Sequence, residues 1–198
     1  MARNNKDELI RQAAIRVFAR EGFHRARMET IAHEAGVAVG TIYNYFESKR
    51  DVLLAVFEVE FEEQISFFEG LRKSGLSIPD QIAQILQGHF SLLRERTELA
   101  QVLLQERFNP GEGFKEKLSN FHRKVVERIE ALIQEGIDQG WVRFCDPRII
   151  APALFAVVQS IGSWEMIHSG TVVGELFQTA PTELADFIWN GLKKGDER

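Results

Sequence analysis

The stretch that decides the fold is Ala35-Gly36-Val37-Ala38-Val39-Gly40-Thr41-Ile42-Tyr43-Asn44-Tyr45-Phe46-Glu47-Ser48-Lys49-Arg50-Asp51-Val52-Leu53-Leu54. Ala35 is small, as needed where two helices cross, and Gly36 admits the left-handed backbone of a tight turn between them. Before the turn, a short helix is predicted over Arg27–Ala35, with Ile31 and Ala32 inward. After it, a helix is predicted over Val39–Phe46, anchored by Val37 and Ile42. Ala38, Gly40, Thr41, Tyr43, Asn44 and Tyr45 are then left for the outside. Two helices meeting at a glycine turn in this way make a helix-turn-helix. Gly40 leaves its helix start open to close approach, and helix-start amides attract anions. Tyr43 and Tyr45 can donate to phosphate and stack on sugar or on a thymine methyl. Lys49 and Arg50 follow within reach of a phosphate backbone. The competing reading of the same residues is a three-helix packing unit that touches nothing.

On either side of this segment the periodicity is helical nearly throughout. A first helix is expected from about Asn5 to Ala19, stopped by Gly22. Ser48, with Asp51 three residues on, caps a long fourth helix reaching about Arg72. Further helices are expected at roughly 79–94, 97–107, 113–139, 147–169 and 181–194, with Pro79, Pro147 and Pro181 in their first turns. Asp146 is a plausible cap before Pro147, and Gly140 ends the helix before it. Asn109–Gly113 is the clearest loop. No hairpin signal occurs. The expectation is an all-α protein of about nine helices. A DNA-binding-type head would occupy 1–50 and a helical body 51–198.

The chain has 198 residues and a net charge of -5, which looks wrong for a partner of a polyanion. Its distribution corrects that impression. Residues 1–50 hold nine Lys/Arg and six Asp/Glu, whereas 51–198 hold fifteen and twenty-three. A basic head on an acidic body is the pattern expected when only the head meets nucleic acid. Cys145 is the single cysteine, so no intrachain disulfide can form. The N-terminus has no apolar core of a signal peptide. The longest apolar run, Ile149–Val158, is too short to span a bilayer. A cytoplasmic protein without membrane association is therefore expected. There is no nucleophile elbow, phosphate loop or dinucleotide fingerprint. The five histidines and Cys145 make no zinc spacing. Neither an enzyme nor a bound metal or cofactor is expected.

Residues 5–55 resemble the DNA-binding domain of the tetracycline-repressor (TetR) family of bacterial regulators. The resemblance rests on Ala13-Ala14 with Phe18, Gly22-Phe23, Thr30-Ile31-Ala32, Ala35-Gly36-Val37, Gly40 to Phe46, and Lys49, Asp51, Leu53 and Leu54. It implies a homodimer that binds a palindromic double-stranded operator and releases it when a small hydrophobic effector fills the body. It also implies that Gly40–Tyr45 enter the major groove and that Thr30 meets phosphate. Thr41, Tyr43, Tyr45 and Lys49 stand at contact positions. Val39 departs from members with Lys or Arg there; it cannot donate to guanine, though it can meet a thymine methyl. Base readout then falls to Thr41, Asn44 and a tyrosine, helped by Arg27 or DNA shape.

The body is rich in phenylalanine: Phe57, Phe61, Phe67, Phe68, Phe90, Phe121 and Phe155 among the chain's fifteen. Most of these serve an ordinary core; together they could also line an apolar chamber. Gly88, Gly136 and Gly162 inside helices fit either close packing or room for a ligand. Gly88 to Leu93, Leu99-Ala100, Glu106 and Glu135-Gly136-Ile137 resemble the acyl-CoA-responsive fatty-acid-degradation repressors of Gram-positive bacteria. That resemblance implies a long-chain fatty acyl-CoA effector, lined by Phe61, Phe68, His89, Phe90, Leu103, Phe121 and Phe155. Arg94, Arg96, Arg107, Arg123, Lys124 and Arg128 are its candidate cations, Arg107 and Arg128 foremost. The rival effector is a lipophilic drug or other hydrophobic compound controlling an efflux or catabolic gene, and a helical adaptor that binds no DNA is the remaining alternative. The last two helices carry more apolar surface than one body needs. Ile150, Leu154, Val157, Ile161, Leu184, Phe187 and Ile188 are the expected dimer face.

Overall fold

The computed structural model describes the backbone of residues 2–108, 114–169 and 175–195, and their side chains outside 2–5, 106–108, 166–167 and 169. Among the described residues there are nine α-helices: α1 (Ala2–Glu21), α2 (Met28–Ala35), α3 (Val39–Tyr43), α4 (Lys49–Arg72), α5 (Ile78–Glu95), α6 (Thr97–Phe108), α7 (Phe114–Asp138), α8 (Pro147–Ser169) and α9 (Leu176–Leu192). The protein is all-α, with a helix-turn-helix head and a helical C-terminal domain. The loop expected at Asn109–Gly113 lies outside the described residues.

The helices group into two compact units. One holds residues 1–63 together with 98–110, and the other 64–97 together with 111–198. The first unit thus contains more than the expected head of 1–50: it takes in the first part of α4 and nearly all of α6. Its core is built from Ile10, Ala13, Val17 and Phe18 of α1, Ile31 of α2, Ile42 of α3 and Val52 and Phe57 of α4. Ile15, Val56 and Leu99 form a further buried cluster with Leu103 packed on it, and Gln101 Nε2 donates to the Ala19 carbonyl at 3.2 Å. Nothing in the periodicity of α6 distinguishes packing against α1 from packing within the body, so residue order leaves this partner undetermined.

In the second unit α5 packs along α9 and α7 along α8. Ser77 caps α5 by accepting from the Asp80 amide, with Pro79 in the first turn. The Phe90 and Phe177 rings join α5 to α9 with centroids 5.9 Å apart. Asp146 caps α8 as expected, its Oδ1 accepting from the Arg148 amide at 3.0 Å. Gly140, at φ 76°, reverses the chain after α7.

Helix boundaries depart from expectation at α9 and α3. α9 starts at Leu176, not near Pro181, so Pro181 lies inside the helix. An interior proline removes a backbone hydrogen bond and costs about 3 kcal/mol. The extra turn brings Phe177 and Ala180 into the core alongside Pro181 and Ile188, continuing one apolar stripe. Burial of that stripe outweighs the local penalty, as tertiary packing commonly does over propensity. α3 is also shorter than expected. It ends at Tyr43, after which Tyr45 and Phe46 both donate backbone N–H to the Ile42 carbonyl at 2.9 Å.

Candidate functional site

In the first unit, the turn between α2 and α3 forms as the sequence implies. Gly36 has φ 67°, and the amides of Gly36 and Val37 cap α2 by donating to the carbonyls of His33 and Ala32 at 3.2 and 3.0 Å. A β-carbon at Gly36 would meet nothing, so the glycine is required by backbone conformation and not by space. Ile42 is fully buried and holds α3 down. The helix start is bare: Ala38 makes no side-chain cap, and Gly40 is open on its β-carbon side. Tyr43 is 52% exposed and Asn44 is exposed, whereas Val39, Thr41 and Tyr45 are half-buried. Arg27 is exposed just before α2, and Thr30 is half-buried in its first turn. The segment from Val39 to Tyr45 therefore presents hydroxyl, amide and methyl groups at a helix start that carries no side-chain cap.

Lys49 does not fit the role expected of it. Its Nζ donates to the carbonyls of Phe23, His24 and Ala26 at 2.7, 2.8 and 3.0 Å. It also lies 4.8 Å from the Phe23 ring centroid, in a cation–π contact. An ammonium group has three donors, and all three are taken. Partial burial lowers its pKa from the ordinary lysine value. The residue expected to reach phosphate instead ties the start of α4 to the turn between α1 and α2. Arg50, its neighbour, is exposed. The latch leaves no trace in residue type, because its acceptors lie 23 to 26 residues away and are backbone atoms. Glu34 is equally silent in the sequence: it ties α2 to α1 by accepting from Arg16 Nε at 2.7 Å and Arg20 Nη1 at 3.4 Å. Those hydrogen bonds, Arg16 foremost, lower the pKa of Glu34.

The candidate effector residues divide between the units. Phe61 and Leu103 belong to the first, where Leu103 packs on the cluster of α1, α4 and α6. Phe68, His89, Phe90, Phe121, Arg128 and Phe155 belong to the second. There His122 joins α7 to α8 through a 4.9 Å ring contact with Phe155, and His89 stands edge-on to Phe90 at 5.2 Å. The side chain of Arg107 lies outside the described residues. Arg94 and Arg123 pair with Glu95 and Glu127 on their own helices, as solvated helix faces do. Arg128 behaves differently: its Nη2 donates to Glu69 Oε1 at 2.6 Å, joining α7 to α4 within the second unit. An ion pair 59 residues apart in sequence carries no local signal.

Of the expected dimer residues, Phe187 is 66% exposed, and Ile150, Leu154, Val157, Ile161 and Leu184 are half-buried. Ile188 departs from the expected dimer face. It is only 5% exposed and belongs to the core of its own unit, because the helical repeat that turns Phe187 outward turns its neighbour in. Ile149 and Trp164, also on α8, are exposed as well. Among the described residues no group of three or more His, Cys, Asp or Glu could hold a metal, and no helix is long and apolar enough to cross a membrane.

A helix-turn-helix head followed by a helical body defines a DNA-binding transcriptional regulator with a separate sensing domain. The family description "bacterial regulatory proteins, tetR family" matches residues 10–56, and "tetracyclin repressor-like, C-terminal domain" matches 75–189. The chain belongs to that family, whose members bind operator DNA, often as dimers, and respond to small-molecule effectors. It is 29% identical over 159 residues to the fatty acid metabolism regulator protein of Bacillus subtilis, covering 79% of this chain and 82% of that one. A crystal structure of the regulator FadR from Bacillus subtilis in complex with stearoyl-CoA is similar at TM-score 0.83 and 25% identity, over 93% of this chain and 98% of that one. A SmeT–triclosan complex shares the fold at TM-score 0.82 and 22% identity, over 97% and 93%.

Proposed function

We propose that this chain is a cytoplasmic repressor of fatty-acid degradation genes. As a homodimer it occupies a palindromic operator and leaves it when long-chain fatty acyl-CoA binds the body. The observation that carries this reading is the similarity, over about four-fifths of both chains, to a fatty acid metabolism regulator. The likeness to a FadR bound to stearoyl-CoA and the phenylalanine-rich body support it. The second reading, release by a smaller hydrophobic compound, is favoured by the shared fold of the triclosan complex.

On this reading residues 1–50 contact DNA and 51–198 sense the effector and dimerise. Gly40, Thr41, Tyr43, Asn44 and Tyr45 lie in the major groove, Val39 against a thymine methyl and Thr30 on phosphate, with Arg27 helping base readout. Ile150, Leu154, Val157, Ile161, Leu184 and Phe187 pair across the two-fold axis. Phe68, His89, Phe90, Phe121 and Phe155, all in the second unit, face the acyl chain. α4 contributes residues to both compact units, so a shift in its second half changes the spacing of the two heads. Effector and operator then weaken each other's binding by the same factor.

Native mass spectrometry in ammonium acetate, with and without stearoyl-CoA, tests the effector. The expected result is a dimer carrying one stearoyl-CoA per subunit, and dissociation of a labelled operator on its addition. A dimer that holds operator DNA and ignores stearoyl-CoA would move the effector to the second reading. In the head, Tyr43→Phe weakens operator binding roughly 3–10-fold, the effect of removing one hydroxyl hydrogen bond, with an unchanged melting temperature because the side chain is half-exposed. Unchanged affinity would remove Tyr43 from the DNA-binding surface.

A further inference from the structure

Arg128 is a charged side chain on the buried stripe of its helix. α7 buries Phe121, Val125, Leu132 and Gly136, and Arg128 lies three residues after Val125 and four before Leu132. Its side chain is 22% exposed, and that of its partner Glu69 is 53% exposed. Nη1 donates to the Lys124 carbonyl at 3.0 Å and Nη2 to Glu69 Oε1 at 2.6 Å. Nε is buried and has no acceptor among the described residues. Folded proteins pair nearly all buried donors, so an unpaired one points to an acceptor that the described residues do not supply.

The chemistry of that acceptor follows from Glu69. The Nε–H and an Nη N–H form one edge of the guanidinium fork. Glu69 already neutralises this guanidinium, so a second anion arriving at Nε would meet a carboxylate of like charge. A neutral carbonyl oxygen would not. The pair also joins an apolar stripe to an exposed carboxylate, which matches a molecule with a long apolar chain, a carbonyl and then a polar remainder. We propose that Arg128 Nε donates to the neutral carbonyl oxygen of the effector, and that Glu69 makes the site select thioesters and esters over free fatty acids. This deepens the acyl-CoA reading above and rests on it.

Calorimetric titration of the full-length dimer with three probes tests it: stearoyl-CoA, S-octadecyl coenzyme A (a thioether with the same head and no carbonyl) and stearate. Wild-type protein is expected to bind the thioester at least ~10-fold tighter than the thioether, as sites built to hydrogen-bond a group reject analogues lacking it. In Arg128→Met and Arg128→Lys, which both lack Nε, that ratio falls to about one. Because the ratio is taken within one variant, a general decrease in folded protein leaves it unmoved. In Glu69→Gln, stearate binding is expected to strengthen about 10-fold, once the like charge is gone. Equal binding of thioester and thioether by wild-type protein would overturn this inference while leaving the effector reading intact. Failure of stearoyl-CoA to bind at all would overturn both. Stearate binding unchanged in Glu69→Gln would overturn the selectivity assigned to Glu69.

Discussion

Replacing Gly136 with alanine is expected to lower the melting temperature by roughly 4–8 °C, the shift that about 2 kcal/mol produces in a domain of this size. A β-carbon there would collide with Val142 Cγ2 and stand 2.8 Å from Ile78 Cδ1. Both neighbours are buried. Val142 has little freedom to retreat: its amide donates to the Gly136 carbonyl at 2.9 Å, and it pairs with Lys193 in an isolated bridge. Two effects compete. Alanine gains about 1 kcal/mol of helix propensity over glycine, whereas overpacking where neighbours cannot retreat costs about 3 kcal/mol, the upper end of the usual range. With two approaches far inside van der Waals range, overpacking prevails. Gly88→Ala is the matched comparison. The three atoms nearest its β-carbon would all belong to the Phe67 ring, the first at 3.0 Å, and Phe67 is exposed and able to swing away. That variant is expected to melt at or above the wild-type temperature. A thermal melt of the pair decides the matter, and a Gly136→Ala protein as stable as wild type would mean that the α7–α8 turn yields.

Lys49→Met is expected to destabilise the protein by about 1.5–3 kcal/mol, the usual range for removing hydrogen bonds to a charged group. The methionine keeps much of the stem, while the carbonyls of Phe23, His24 and Ala26 are deprived of their shared donor. The variant should therefore show a lower midpoint in urea. Its operator affinity should fall only as far as the turn between α1 and α2 loosens. The telling quantity is the dependence of that affinity on salt. Removing a cation from one phosphate flattens the plot of log K against log salt by about 0.9, through counterion release. A latch bonded to backbone carbonyls releases no counterion, so the slope should match wild type. Arg50→Ala provides the contrast, since an exposed cation at the next position is available to the DNA backbone. A slope reduced by about one in Lys49→Met would return Lys49 to the phosphate-binding residues.

Residue order is enough to establish that the protein is all-helical, that a glycine turn at Gly36 joins α2 to α3, and which family it belongs to. These features are local. The φ of Gly36, the reciprocal pairing of Ser48 with Asp51 and the cap of Asp146 on α8 each depend on residues within a few positions. The burial of Ile31 and Ile42 follows from helical periodicity, which is also visible in residue order. Whatever depends on distant neighbours is settled only by folding. Gly136 serves close packing because Val142 and Ile78 close over it. α6 joins the head, α9 runs through Pro181, and Ile188 turns inward beside an outward Phe187. Lys49 goes to three backbone carbonyls and Arg128 to Glu69. A residue's type sets what it can bond to, but for a long flexible side chain only the folded chain sets what lies within reach.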